Sequence, residues 1–209
     1  MIEQGTEDWH ALRLGKVTAS RIADVMARTK SGYGASRASY MADLLVERLN
    51  GQPTEGFTNA AMQWGTDQEP HARAEYEFIT LNDVAQVAFI DHPGIPMTGA
   101  SPDGLIGEDG LIEIKCPNTK THIEYLETGK IADQYIKQMH WQMICTGRSW
   151  CDFVSYDPRV TVPEMRLKIQ HVDLDSGLAE EITEEVQKFL AELADREENL
   201  RAKYLKEAA

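Results

Sequence analysis

Residues 101–115 constrain the fold of this 209-residue chain more than any other part of its sequence. They read SPDGLIGEDGLIEIK, in which two short β-type stretches flank an acidic turn that ends in glycine. We predict a β-hairpin here, with residues 108–110 as a three-residue loop and Gly110 in the left-handed conformation. That register places Asp103 opposite Lys115 and Leu105 opposite Glu113.

Asp103, Glu113 and Lys115 then lie on one face of the hairpin, because paired residues and alternate residues share a face. The isoleucines between them, Ile112 and Ile114, point to the other face and into the core. Two carboxylates and the Ile114 carbonyl are oxygen ligands that suit Mg²⁺, and a lysine beside them can orient an attacking water. The segment therefore predicts a metal-dependent site that hydrolyses phosphodiesters. The alternative is a turn aspartate followed by an exposed charge pair on an edge strand, since acid-x-lysine triplets also arise by chance.

Helical patterns precede and follow a β-rich centre. A short first helix is predicted to begin near Ser20, and four further helices are predicted at 36–50, 58–78, 131–146 and 176–205. The other predicted strands span residues 84–90, 150–156 and 165–172. Pro70 interrupts the third helix directly after Glu69, so we expect a kink or a break there. These elements predict one mixed α/β domain over residues 1–209, with a core at about 84–173 elaborated by helices within 18–80 and at 176–206.

The formal net charge of −13, taken alone, opposes binding of a polyanion. The charge is unevenly distributed, because residues 13–37 carry six bases against the single acid Asp24, whereas residues 175–209 hold ten acids and five bases. Both segments could also be simple solvated faces. The sequence predicts no secretory signal, and it contains no apolar run of membrane-spanning length and no metal-ligand spacing among its three cysteines. We therefore expect a cytoplasmic protein without a membrane role.

Seven short motifs occur in order between residues 9 and 159. They are WHALRLG at 9–15, TAS at 18–20, WGTDQE at 64–69, SPDGL at 101–105, EIKCP at 113–117, YIKQM at 135–139 and YDPR at 156–159. In this order they resemble the motifs of the lambda-type exonucleases, also called YqaJ-like viral recombination nucleases, of the PD-(D/E)XK superfamily. The resemblance implies a restriction-endonuclease-like PD-(D/E)XK core, in which helices flank a central mixed β-sheet.

The resemblance also implies roles for individual residues of the metal site. Asp103, Glu113 and the Ile114 carbonyl would bind metal, Glu69 would assist at a second metal, and Lys115 would serve the attacking water. Gln138 would support the site from its helix. The implied cofactor is Mg²⁺, bound as two ions, with Mn²⁺ as a substitute. His122 and His140 lack a spaced partner, so we expect them to be packed or exposed and not to be ligands.

Two further roles concern the DNA end. Arg13, Thr18 and Ser20 would hold the 5′-phosphate of the digested strand, a role that suits a guanidinium, two hydroxyls and a helix N-terminus. Met62 falls where the family places an apolar side chain that wedges between the terminal base pairs. Ordinary packing in the helix core is the alternative for Met62.

By this resemblance the chain is a Mg²⁺-dependent 5′-to-3′ double-strand DNA exonuclease. It would digest the 5′-ended strand from a duplex end to mononucleotides and leave 3′ single-stranded DNA for phage-type homologous recombination. Similar enzymes form rings of three around DNA, so the implied partners are duplex DNA ends, a homotrimer and a single-strand annealing recombinase in the bacterial host cell. The alternatives are a structure-selective or site-specific endonuclease of the same fold, and a non-catalytic DNA-end-binding recombination scaffold.

Overall fold

The computed structural model describes residues 2–54 and 60–206. Within them the helices are α1 (Glu7–Arg13), α2 (Ile22–Val25), α3 (Ala35–Asn50), α4 (Ala60–Thr80), α5 (Thr119–Thr128), α6 (Asp133–Thr146) and α7 (Ser176–Lys206). The strands are β1 (Val17–Thr18), β2 (Arg28–Thr29), β3 (Gly32–Tyr33), β4 (Val84–Ala85), β5 (Ile90–Asp91), β6 (Thr98–Ala100), β7 (Gly104–Ile106), β8 (Gly110–Lys115), β9 (Trp150–Tyr156) and β10 (Leu167–Asp173). Two 3₁₀ turns, Ala19–Arg21 and Pro163–Met165, precede α2 and β10.

A five-stranded sheet with the order β10-β9-β8-β7-β4 forms the centre of the fold. Strands β8 and β9 are parallel, and the other neighbouring pairs are antiparallel. Smaller sheets pair β1-β6-β5 and β2-β3. The mixed central sheet expected from the sequence is therefore confirmed.

Both faces of β8 are covered by helices. Ile112 and Ile114 pack with Tyr76 of α4 on one face. On the other face Leu111 packs with Met139 of α6. Because β8 is covered on both sides, a polar side chain on this strand must find its hydrogen-bond partners within the protein.

The long helix α7 packs against α2, α3 and α6 along the apolar stripe predicted from its sequence. Ile182, Val186, Phe189 and Leu193 are fully buried there. Burial of each such side chain contributes roughly 1.5–3 kcal/mol to folding. The helix thereby fastens the N-terminal helices to the face of α6 that lies away from the central sheet.

The β7–β8 hairpin is offset by two residues from the predicted register. Leu105 pairs with Leu111 and Ile106 with Gly110, so the loop is 107–109 and not 108–110. Gly107, not Gly110, has the left-handed φ of 52°. Gly110 is needed for another reason, since a Cβ there would lie 2.1 Å from the Trp150 ring. An offset of two residues leaves each side chain on its predicted face of the sheet. The last observed pair is Gly104 with Ile112, so the next position places Asp103 opposite Glu113 and not opposite Lys115.

Helix α4 runs unbroken through Pro70, so the predicted break is wrong. Pro70 is exposed, and water can hydrogen-bond to the carbonyl that the missing proline N–H leaves free. The helix ends at Thr80, two residues beyond the predicted end. Its predicted start at Thr58 lies outside the described residues.

Several short elements were missed or merged in the sequence-based prediction. The expected strand at 84–90 is two strands in different sheets, with β4 pairing with β7 and β5 with β6. Helix α1 was missed because none of its residues is buried, which leaves no apolar period to detect. Helix α5 was also missed, although Asn118 caps its start and Gly129 ends it.

Candidate active site

Asp103 and Glu113 meet at one end of the β7–β8 hairpin. Asp103 directly precedes β7, and its Oδ2 accepts a hydrogen bond of 2.6 Å from the backbone N–H of Ile114. Glu113 lies within β8, and its side chain has no exposed surface. The bond from Ile114 therefore fixes the Asp103 carboxylate beside the strand that carries Glu113 and Lys115.

The Glu113 carboxylate accepts hydrogen bonds from three side chains. Lys115 Nζ lies 2.5 Å from Oε1, and Gln138 Nε2 donates to the same oxygen at 2.7 Å. Gln142 Nε2 donates to Oε2 at 2.7 Å. Charge-assisted bonds of this kind are the strong ones, so the orientation of Glu113 is closely defined.

The two glutamines come from successive turns of α6. Residues four apart share one face of a helix, so Gln138 and Gln142 both reach Glu113 on the neighbouring strand. Gln138 was identified from its motif, whereas Gln142 was missed. The signal was present in the sequence as a Gln-x-x-x-Gln spacing on a helix that covers an acidic strand.

Lys115 extends from the end of β8 with its ammonium group between an acid and an aromatic ring. Its Nζ lies 4.9 Å from the centre of the Tyr135 ring, in addition to its contact with Glu113. Burial alone would lower the pKa of this ammonium, but the Glu113 and Asp103 carboxylates raise it above its usual value. Lys115 is therefore a protonated donor beside the carboxylates and not a proton acceptor.

Glu69 approaches the same carboxylates from α4, on the other side of the sheet. Its Oε1 accepts a hydrogen bond from Arg73 Nη2, one helical turn further along α4. Arg73 was not identified from the sequence, although a Glu and an Arg four apart are a recognisable helix pair. Pro70 does not turn Glu69 away, because burial and the nearby Glu113 carboxylate both raise the pKa of Glu69.

The acids repel one another strongly enough to alter their ionisation. Burial raises the pKa of Asp103 well above its usual value, and the negative charges of Glu113 and Glu69 raise it further. Lys115 and the Ile114 N–H act in the opposite direction. Glu113 and Glu69 are therefore near enough to Asp103 for their charges to disfavour its ionised form.

The oxygen donors of Asp103 and Glu113 fit a hard divalent cation, although both carboxylates also accept hydrogen bonds from groups on β8. Within residues 2–54 and 60–206, no group of three or more His, Cys, Asp or Glu side chains is arranged around a common metal position. Two carboxylates that share a site need only a backbone carbonyl, water and substrate phosphate to complete an octahedral shell. A divalent cation would also relieve the repulsion that raises the Asp103 pKa.

Arg13, Thr18 and Ser20 line two adjoining cavities beside the acids. One, of about 260 Å³, also contacts Lys16, Arg21 and Tyr40. The other, of about 160 Å³, extends to Ser101 and Gln138. The smaller cavity therefore reaches from Arg13 to Gln138, whose amide donates to Glu113.

Most of the basic side chains between residues 13 and 37 are paired with acids. Their ion pairs are Lys16–Asp91, Arg21–Asp24, Arg28–Glu185 and Arg37–Glu192, and the last two are made with α7. Within the described part of the chain, Arg13 forms no salt bridge and instead stacks on Trp9, with its guanidinium carbon 3.8 Å from the ring centre. Among the described residues, Arg13 and Lys30 are therefore the bases of this segment without an ion pair. Burial lowers the pKa of the Arg13 guanidinium but does not remove its charge.

A family model described as the YqaJ-like viral recombinase domain matches residues 8–149 of the chain. The chain belongs to this family. The matched residues include the acids Glu69, Asp103 and Glu113 together with Arg13, Lys115 and the two glutamines of α6. No curated protein sequence matches the chain significantly.

The chain is also similar in structure to solved exonucleases. It is 56% identical to an alkaline exonuclease, LHK-Exo, from Laribacter hongkongensis, with a TM-score of 0.90 over 96% of this chain and 99% of that chain. A second structure of LHK-Exo, in complex with dAMP, matches equally well. A phage-related exonuclease from Haemophilus somnus 129PT matches with a TM-score of 0.65 and 15% identity, over 87% of this chain and 96% of that chain. The last likeness shows the fold alone, and the mixed α/β fold with a PD-(D/E)XK core is confirmed.

Other residues singled out in the sequence occupy clear positions in the YqaJ-like fold. Met62 is 56% exposed on α4, so it does not pack into the helix core. His122 contacts Ser155 Oγ and the Met165 carbonyl, and His140 contacts the Ile136 carbonyl and the Asp175 N–H. Both histidines are packed, as expected. No helix within the described residues has the length and apolarity to span a membrane.

Proposed function

We propose that the chain is a Mg²⁺-dependent 5′-to-3′ exonuclease of double-stranded DNA. The observation that carries this proposal is the convergence of Asp103, Glu113 and Lys115, with Gln138 bonded to Glu113 and lining the same cavity as Arg13. Family membership and 56% identity to an alkaline exonuclease support a nuclease. The products would be mononucleotides and a 3′ single-stranded tail for recombination by strand annealing.

The proposed ligands of the metal are Asp103, Glu113 and the Ile114 carbonyl, with Glu69 at a second ion. Bound Mg²⁺ would supply charge stabilisation at the scissile phosphate. Lys115, protonated beside Glu113, would orient the attacking water and donate to the charge that develops on the phosphate oxygens. Gln138 holds Glu113 from α6. Mn²⁺ would replace Mg²⁺, because both accept octahedral oxygen ligands.

The 5′-phosphate would bind at Arg13, Thr18 and Ser20. The Arg13 guanidinium has no carboxylate partner among the described residues, and the Thr18 and Ser20 hydroxyls lie 3.4 Å apart beside it. A guanidinium and hydroxyls recognise phosphate through several hydrogen bonds. The adjoining cavity would then place the next phosphodiester near Asp103 and Glu113, which makes the enzyme an end-dependent nuclease.

Exposed Met62 on α4 is the proposed wedge that separates the terminal base pairs, a role that an apolar side chain at the surface can perform. A homotrimeric ring would enclose the duplex, so that a chain of net charge −13 could retain DNA by topology and present only its basic side chains. A single-strand annealing recombinase would receive the tail in the bacterial cytoplasm.

A nuclease assay with linear and circular duplex DNA tests the proposal. We expect Mg²⁺-dependent release of mononucleotides from linear DNA and none from covalently closed circles. Cutting of circles would favour the structure-selective or site-specific endonuclease of the same fold. Binding of DNA ends without any hydrolysis would favour the non-catalytic scaffold.

The Lys115→Ala variant separates binding from chemistry in the same assay. It should bind duplex ends but lose hydrolysis, because the orienting ammonium is absent while the Arg13 cavity is intact. Lys168→Ala, a lysine exposed on the edge strand β10, is the matched control. Unchanged hydrolysis by Lys115→Ala would remove Lys115 from the mechanism.

A further inference from the structure

The hydrogen bonds to Glu113 use most of its capacity to bind a cation. An ionised carboxylate offers about two acceptor positions on each oxygen. On Oε1 both positions are taken, by Lys115 and Gln138. On Oε2 one is taken, by Gln142. A single acceptor position therefore remains, on Oε2.

Asp103 differs from Glu113 in this respect. Its Oδ2 accepts the Ile114 N–H, and within the described chain no donor contacts Oδ1. Asp103 can therefore turn a whole oxygen towards a cation. Glu113 can offer only the part of Oε2 that Gln142 leaves open.

The buried side chain of Gln142 has one evident polar partner, the Glu113 carboxylate. Its side chain has no exposed surface, and its Oε1 is buried without a hydrogen-bond partner among the described residues. An unpartnered buried acceptor destabilises a fold, so an apolar residue would suit the core better. The one polar contact of the Gln142 amide in the described chain is the bond to Glu113 Oε2.

We propose that Gln142 is a positioning residue that restricts Glu113 to coordination through one oxygen and thereby selects Mg²⁺ over Ca²⁺. This inference rests on the proposed metal site. Mg²⁺ requires near-ideal octahedral geometry with short bonds, which a single carboxylate oxygen satisfies. Ca²⁺ takes more ligands and often binds both oxygens of one carboxylate, which the amide of Gln142 obstructs.

Metal binding measured without DNA tests this inference independently of catalysis. Isothermal titration calorimetry would give the Kd values of Mg²⁺ and Ca²⁺ for the full-length protein and for Gln142→Met, which keeps the length of the side chain but has no donor. Residues that orient a metal ligand typically contribute 10- to 100-fold to metal affinity. We expect the Mg²⁺ affinity of Gln142→Met to fall by about this factor while the Ca²⁺ affinity stays equal or rises.

Met143→Leu is the matched control, since Met143 is the next residue of α6 and is equally buried but packs only among apolar side chains. The melting temperature of metal-free Gln142→Met checks that the variant folds, since it loses both the unpartnered acceptor and a hydrogen bond to the buried Glu113 carboxylate. Equal losses of Mg²⁺ and Ca²⁺ affinity, or no change in either, would overturn the inference.

A crystal structure of the unaltered protein with Ca²⁺ provides a test that needs no variant. We expect one oxygen of Glu113 in the coordination shell, with the Gln142 amide still bonded to Oε2. Both oxygens on the ion would overturn the inference. Hydrolysis assayed in parallel separates failure of the role of Gln142 from failure of the proposed function. An unaltered protein that neither binds Mg²⁺ nor cuts DNA contradicts the proposed function itself.

Discussion

Glu113 and Glu69 are the same residue type at one cluster, yet their surroundings differ. Glu113 lies on a strand covered on both faces, has no exposed side-chain surface and accepts bonds from three side chains. Glu69 lies on a helix, is 34% exposed and, among the described residues, forms its side-chain hydrogen bond with Arg73 of its own helix. The strand acid is therefore held from several elements, and the helix acid from one.

For the metal site proposed above, this difference predicts a different role for each acid. A carboxylate fixed by several donors keeps its geometry whether or not an ion is bound, which favours a permanent ligand. A carboxylate at the surface of a helix can change rotamer at little cost, which favours an ion that arrives and departs with substrate. The predictions below test this division, from the largest expected effect to the smallest.

Glu113→Gln should cause the largest loss of activity. The substitution keeps the size of the side chain but removes a proposed ligand. It also replaces one acceptor oxygen with an amide N–H donor, which cannot accept the bonds that Lys115, Gln138 and Gln142 donate. We expect kcat on linear duplex DNA to fall by about 10³-fold. Glu108→Gln, in the exposed hairpin loop, is the control for the same chemical change. A loss below tenfold would contradict the central role of Glu113.

Glu69→Gln should have a smaller effect, expressed mainly in the metal requirement. Loss of an adaptable second ligand should lower kcat by about 100-fold and raise the Mg²⁺ concentration needed for half-maximal rate. Asp67→Asn, exposed two residues earlier on α4, is the matched control. If Glu69→Gln is as inactive as Glu113→Gln at every Mg²⁺ concentration, the distinction between the two acids fails.

The same contrast explains how much of the site could be predicted from the sequence. The acid-hairpin-acid-x-lysine pattern brings Asp103, Glu113 and Lys115 to one face by alternation, and alternation survived a register error of two residues. The register itself could not be predicted, since Gly107 and Gly110 are both suitable turn residues. The choice depends on Trp150, which packs over Gly110 and comes from a distant part of the chain.

Long-range partners were also the reason that Gln142 and the unbroken helix at Pro70 were missed. A buried glutamine is recognisable as functional only when the acid opposite it is known, and Glu113 is 29 residues away. The long helix α7 was predicted well because its apolar stripe is a local signal of period 3.6. Elements with a local pattern were therefore predictable, and those defined by a neighbour were not.

Arg13→Ala extends the comparison to the cavity that Arg13 and Gln138 line together. Loss of one charge-assisted contact to phosphate, worth about 1.5 kcal/mol, should lower kcat/KM on 5′-phosphorylated ends by roughly tenfold. Ends with a 5′-hydroxyl should be digested at the same rate by variant and unaltered protein. Arg28→Ala, whose guanidinium pairs with Glu185, is the control from the same basic segment. An equal loss on both kinds of end would place Arg13 outside a phosphate pocket.

The smallest effect should appear in the pH dependence of stability without metal. The pKa of Glu69 is raised above its usual 4.5 by burial and by Glu113, and the pKa of Asp103 is raised by burial, Glu113 and Glu69. The folded state therefore holds these protons more tightly than the unfolded state does. The stability that these carboxyls contribute is present below their usual pKa and is lost as the pH rises through the raised value.

Thermal unfolding in EDTA, from about pH 4 to pH 8, measures this loss, and Glu69→Gln isolates it from the other acids of the protein. The variant lacks one titrating group and lowers the repulsion on Asp103. The melting temperature of the variant minus that of the unaltered protein should therefore increase as the pH rises. The gain should be on the order of a few degrees. Mg²⁺ should reduce the difference, because bound cation neutralises the same repulsion. Parallel curves for the two proteins would show that Glu69 does not feel the charge of Glu113, and the two acids would then not share a site.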